Sequence, residues 1–186
     1  VAQKVDADCR LLWRFPSRRL EAEVIRDSLL QVSGKLNLMM GGPGFDFFKS
    51  RGGLSGFPPV TEFNEDGFRR MIYAHKIRME SVPVFGAFDC PDAGQPTPVR
   101  SQSTTAIQAL NLFNSPFVAD LSIDIAAQLE QDFDSHDEQL NQAFQRIVLR
   151  PPSREELEAI RPIVERHGLA TLVRVLLNSN EFLMLP

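Results

Sequence analysis

The chain has 186 residues, 43% of them apolar and 24% charged, with a formal net charge of −4. That is the balance of an ordinary globular chain, sized for one domain and long enough to bury a real core. Twenty Lys and Arg against 24 Asp and Glu leave no basic footprint for nucleic acid, no run nears the roughly 18 apolar residues of a membrane span, and two cysteines cannot staple a disulfide scaffold.

The chain opens Val1-Ala2-Gln3-Lys4, with no Met, no basic-then-apolar leader and no small-residue cleavage pattern. No targeting segment is visible, and the start reads as a processed chain or a piece of something longer. The first helix is predicted over Ser17–Ser33, capped by Ser17, with Leu20, Val24, Leu29 and Val32 near one face and Gly34 ending it in a left-handed turn. Seven of the 11 glycines then fall between Gly41 and Gly67, so 38–67 reads as a long loop of the kind that is functional or mobile. Its Gly41-Gly42-Pro43-Gly44 lacks the Lys-Ser/Thr of a phosphate-binding loop, and a plain turn is the better reading. Phe45, Phe47, Phe48, Phe57 and Phe63 put large apolar area on this glycine-rich backbone. The expectation is that part of it is buried against another polypeptide, the alternative being that the rings fold back on the chain's own helices. Met71, Tyr73, Ile77 and Met79 follow a period of two, which predicts a short strand, although a short helix fits nearly as well.

After a loop over 89–99 the helix signals sharpen. Thr105 and Gln108 form a capping box ahead of Ile107, Leu110 and Phe113; Ser115-Pro116 starts a helix striped by Phe117, Leu121, Ile125 and Leu129. Ser135 and Glu138 make a second box ahead of Leu140, Phe144 and Ile147, and Ser153 and Glu156 a third ahead of Leu157, Ile160 and Val164. Pro162 should kink that helix before His167-Gly168 closes it. A last helix is predicted over Leu169–Leu177. The fold class expected is mainly α: a helical bundle in 105–186, with one helix, Gly/Pro-rich loops and at most a small β element in 1–104, all one domain.

Chemistry is sparse. His75, His136 and His167 stand alone, with no zinc-binding spacing, and Cys-x-x-Cys-His haem attachment is absent, so no metal and no cofactor is expected on this segment. Cys9 and Cys90 are far apart in sequence and can be paired or separate. The most concentrated polar site is Asp89-Cys90-Pro91-Asp92 followed by Arg100. These carboxylates can bind a cation, share a proton or orient Arg100; the plainer reading is that they cap turns and one of them pairs with Arg100. The acidic run from Glu130 to Glu138 is a solvated connection between helices.

Several stretches together resemble one bacterial family. They are Ser17-Arg18-Arg19-Leu20-Glu21-Ala22-Glu23-Val24-Ile25-Arg26-Asp27 through Ser33-Gly34, Gly41–Gly44, Tyr73-Ala74-His75-Lys76, Ala87–Asp92, Ser103–Val118 and Leu177–Leu183. The chain is similar to the planctomycete-specific domain one family, also called domain of unknown function fifteen-fifty-three, although Ala106 stands where the family often has Pro. The family is typically the C-terminal part of large exported proteins that begin with a c-type cytochrome module. The resemblance implies an extracytoplasmic location, Val1 as an internal position and Pro186 as a natural end. It also implies partners among the rest of the parent protein or a c-type cytochrome, with haem c carried there and not here. It implies no established activity. Two readings follow: a non-catalytic helical scaffold or interaction module, or part of an extracytoplasmic redox or polysaccharide-processing enzyme with Asp89, Asp92 and Arg100 near its site. Without a base–nucleophile pair or metal cluster in view, the first is preferred.

Overall fold

A computed structural model describes residues 2–7, 9–15, 17–50 and 56–185; the expectations placed on Val1 and Pro186 lie outside the described residues. The chain is mainly helical. After a single turn, α1 (Ala2–Val5), come α2 (Ala22–Ser33), α3 (Ala106–Phe113), α4 (Pro116–Asp132), α5 (His136–Val148), α6 (Arg154–His167), α7 (Leu169–Leu177) and the short α8 (Asn180–Leu183). Two small two-stranded ladders complete it. Strand β1 (Arg18–Arg19) runs antiparallel to β4 (Met184–Leu185), and β2 (Phe45–Asp46) runs parallel to β3 (Ala74–His75). Among the described residues, no helix is long and apolar enough to cross a membrane.

Helix α4 is the spine, with α7, α2, α5 and α3 packed around it. Its Val118, Leu121, Ser122, Ile125, Ala126 and Leu129 are all buried, a stripe at i, i+3, i+4 and i+7 whose small members admit close neighbours. Helix α7 answers with Leu169, Leu172, Val173, Leu176 and Leu177. Helix α6 has no fully buried residue; it lies on α7 as an outer layer and runs unbroken through Pro162. Local signals set these boundaries. The Thr105–Gln108 and Ser153–Glu156 capping boxes are both formed, and Ser115 accepts the Val118 N–H ahead of Pro116. Ser135 stands at the start of α5 without a side-chain cap. Gln139 turns back to donate to the Phe133 carbonyl at 2.7 Å instead.

Arg150 fastens the outer layer by reaching Glu156 of α6 at 2.7 Å and Glu181 of α8 at 2.8 Å. Hydrogen bonds from Arg150 and the Ser153 N–H pull Glu156 down from 4.5 to about 2, and Arg150 also lowers Glu181. Depressed carboxylates stabilise the fold fully above their ordinary range and lose that contribution as pH falls through the folded value. Urea midpoints are therefore expected to hold from neutral pH to about 4.5 and decline toward about 2. Arg150→Gln should flatten the decline; an unchanged profile would count against this clamp.

Three expectations are corrected. Helix α2 begins at Ala22 and not at Ser17, because Arg18 and Arg19 are taken into the ladder with β4 and the Leu20 N–H donates to the Leu183 carbonyl at 2.8 Å. Val24 is consequently 43% exposed, and the buried face carries Ile25, Arg26, Leu29 and Leu30. Gly34 does end the helix left-handed, at φ 76°. Residues 71–79 are no strand. Met71–Tyr73 forms a 3-10 turn, only Ala74 and His75 find a ladder partner, and Met79 is exposed. In α3, Ile107 and Leu110 face solvent while Gln108 and Leu112 are buried. The Gln108 amide donates to the Ala87 carbonyl at 2.9 Å and Ser103 Oγ at 2.8 Å, so a polar anchor turns the apolar stripe outward.

Much of the described part of the phenylalanine-rich loop packs on the chain's own core. Phe45, Phe47 and Phe48 are buried, and Phe57 and Phe63 pack half-buried against the core. Phe45, Phe47 and Phe63 meet edge to face with centroids 5.3–6.4 Å apart, a favoured aromatic geometry. Phe45, Phe47 and Phe48 therefore place their area on the chain's own core, the alternative reading for those three rings, while Phe57 and Phe63 keep part of theirs exposed. Gly41–Gly44 bends the chain, with Gly41 and Gly42 both at φ 76°. Arg69 holds it by donating to the Met39, Gly41 and Pro43 carbonyls while stacking 4.0 Å from the Tyr73 ring centroid. A Cβ at Gly44 would collide with the Tyr73 carbonyl oxygen. Gly44→Ala should therefore cost about 1–3 kcal/mol in urea unfolding, the range for forced overpacking; an unperturbed midpoint would contradict this packing.

Candidate functional site: the groove along helix α2

The outward face of α2 forms the floor of an open groove of about 1070 Å³. Met71, Ile72 and Ala74 wall one side, the last residues of α5 (Ile147 and Val148) with the following Leu149 the other, and Phe182, Met184 and Leu185 close one end. Val24, Ile72, Leu149 and Leu185 are large apolar side chains left exposed on it. Leu149 is held in the left-handed region, at φ 61°, an uncommon conformation for a branched residue.

Charge gathers at the first turn of α2. Arg100 donates to both oxygens of Glu23, at 2.6 and 2.8 Å, and also to Glu21. Lys76 Nζ lies 3.2 Å from Glu23 Oε1 and 3.1 Å from Cys90 Sγ. Burial works against the Glu23 carboxylate, but Arg100, its backbone and Lys76 overcome that and lower its pKa. Lys76 is pulled down by burial and raised further by Cys90 and Glu23, for a net rise. Cys90 is pushed up by burial, with Glu23 adding to it and Lys76 opposing. A cysteine in that state is a neutral thiol and a poor nucleophile. Two carboxylates meet two cations here, so the cluster neutralises itself.

Asp89, Asp92 and Arg100 do not converge. Asp89, left-handed at φ 59° after the Phe85–Phe88 turn, accepts from Arg19 at 2.6 Å, the Ser103 N–H at 2.8 Å and Ser103 Oγ at 2.9 Å. Burial raises its pKa, but Ser103 and Arg19 outweigh it and hold the carboxylate below its usual range. Asp92 is exposed and accepts the Gly94 N–H within its own turn. Arg100, expected beside one of these carboxylates, pairs with α2 instead, because Glu21 and Glu23 project from the first turn of that helix. Cys9 and Cys90 are both free and buried. Among the described residues, no group of three or more His, Cys, Asp or Glu is placed to hold a metal ion.

Glu21, Glu23, Asp27 and Lys76 were not singled out as site residues by spacing or charge pattern. Their signal was membership of the stretches that carry the family resemblance, which meet in space: Arg19, Glu21, Glu23 and Asp27 from the first, Lys76 from another, and Asp89, Cys90, Ser103 and Gln108 from the later ones. A family model described as PSD1, protein of unknown function (DUF1553), matches residues 1–164, and the chain belongs to that family. No curated protein and no solved structure matches it.

Proposed function

We propose that the chain is a non-catalytic helical interaction module, whose α2 groove receives another polypeptide of an extracytoplasmic, cytochrome-c-associated protein or complex. The groove carries this reading. It gathers exposed Val24, Ile72, Leu149 and Leu185 into one concave surface, and a contiguous apolar patch rimmed by polar groups is the usual mark of a protein contact. The charges at the first turn of α2 are matched among themselves, so the groove offers shaped apolar surface in place of a poised acid or base. The cytochrome context comes from the resemblance: the partner is the rest of a parent protein or a c-type cytochrome, with haem on that partner.

The competing enzyme reading needs Asp89, Asp92 or Arg100 to present an unmatched group to a cleft, whereas Asp89 and Arg100 are taken up by protein partners. The test is affinity purification of the tagged chain from the organism that encodes it. Polypeptides that accompany it are identified, and their haem absorption is recorded. A haem-absorbing partner is expected with the natural chain and not with Ser28→Trp, which places a large ring on the groove floor. A partner retained equally by Ser28→Trp, or none at all, overturns the proposal.

A further inference from the structure

The groove's charges are not all spent alike. Its three cations are each engaged: Lys76 and Arg100 on Glu23, and Arg146 on the Val32 carbonyl and the Gln128 side chain at 2.7 Å each. Glu23 and Glu181 are held down by arginines. Asp27, midway along the floor, is different. Its Oδ1 accepts the Met71 N–H at 2.8 Å and lies 3.6 Å from the inward-facing Arg26, and burial, with Glu23 adding to it, leaves its pKa raised against the pull of the Met71 N–H, Arg26 and Arg70. A carboxylate so placed is under-compensated and gains from a further cation.

The floor around Asp27 has the form of a helix seat. Val24, Ser28 and Gln31 stand at i, i+4 and i+7 along the outward ridge of α2, with the small Ser28 at its middle. Such a ridge lets a second helix approach closely. The twelve residues of α2 rise about 18 Å, room for about three turns of an occupant.

We propose that the occupant of the groove is an amphipathic helix whose apolar face lies on Val24, Ile72, Leu149 and Leu185 and whose Lys or Arg pairs with Asp27. This rests on the interaction-module reading above and adds the chemistry of the partner. Free groove and free helix both leave apolar area in water, and Asp27 sets the register by admitting a cation and refusing a carboxylate.

The test uses the full chain and two labelled synthetic helices with the same leucine face, one bearing lysines and the other glutamates, followed by fluorescence anisotropy. The lysine helix is expected to bind and to weaken as salt rises; the glutamate helix is expected not to bind. Asp27→Asn, which keeps an acceptor for the Met71 N–H, should weaken the lysine helix about tenfold, the scale of one charge-assisted pair. Gln31→Lys, at an exposed position, should weaken it in the same sense, and Glu155→Gln on distant α6 should leave it unchanged. Equal binding of both helices, equal loss with Glu155→Gln, or no loss with Asp27→Asn overturns the proposal. If neither helix binds while Ser28→Trp still strips the natural partner, the helix inference falls and the module reading stands. If Ser28→Trp strips nothing, both fall.

Discussion

Arg26→Ala is expected to lower stability by about 3–5 kcal/mol, the scale of a large core truncation combined with the loss of a buried polar anchor. Arg26 is fully buried. Its guanidinium lies 4.7–5.9 Å from the ring centroids of Phe45, Phe47, Phe63 and Phe117, and it donates to the Arg69 and Gly67 carbonyls. Burial draws its pKa down to about 10, with Asp27 opposing, so it is a cation at neutral pH. Truncation removes the partner of four aromatic faces and leaves two buried carbonyls without donors. Arg26→Met, which keeps the volume but not the donors, should lose about 1–3 kcal/mol. Urea unfolding followed by far-UV circular dichroism measures both. Equal losses would mean that the guanidinium acts by volume alone, and a loss below 1 kcal/mol for Ala would contradict its place in the core.

Asp89 is the second pressure point. Asp89→Asn should cost about 1–3 kcal/mol, because the charge-assisted bond from Arg19 is lost while acceptors for Ser103 remain. Asp89→Ala should cost more, about 3–5 kcal/mol, since it strands Arg19, which is only 8% exposed. Thermal or urea unfolding reads the difference, and partner co-purification at a temperature where the variant is folded reads the rest. An unchanged melting temperature together with loss of ligand or partner binding would instead point to a site at Asp89 and favour the enzyme reading.

How much of this was legible from sequence depended on the range of the interaction. Helix α7 occupies Leu169–Leu177 as expected, and Thr105, Ser115 and Ser153 start their helices, because caps act across three or four residues. The beginning of α2 was set by strand partners near the other end of the chain, and no local pattern carries that information. Arg26 sits in a helical stretch where a charged residue ordinarily means a solvent face; the aromatic rings that receive it come from the following loop and from α4. The partners of Arg100 lie 77 and 79 residues away, so a pairing with Asp89 or Asp92, close in sequence, was the natural but incorrect expectation. Asp89 was legible as a satisfied turn carboxylate, though not that Arg19 would supply the charge.

The clasp between β1 and β4 also fixes when the groove can exist. Phe182, Met184 and Leu185, which close one end of it, are synthesised after all the other residues that line it. On a ribosome, α2 emerges long before the strand that orients its entry, and domains complete their folding only when such distant segments have arrived. The groove is therefore complete only once synthesis has passed Leu185. A chain terminated before Phe182 lacks the wall that these residues supply, so a ligand that reads the closed groove also reads whether synthesis has passed β4.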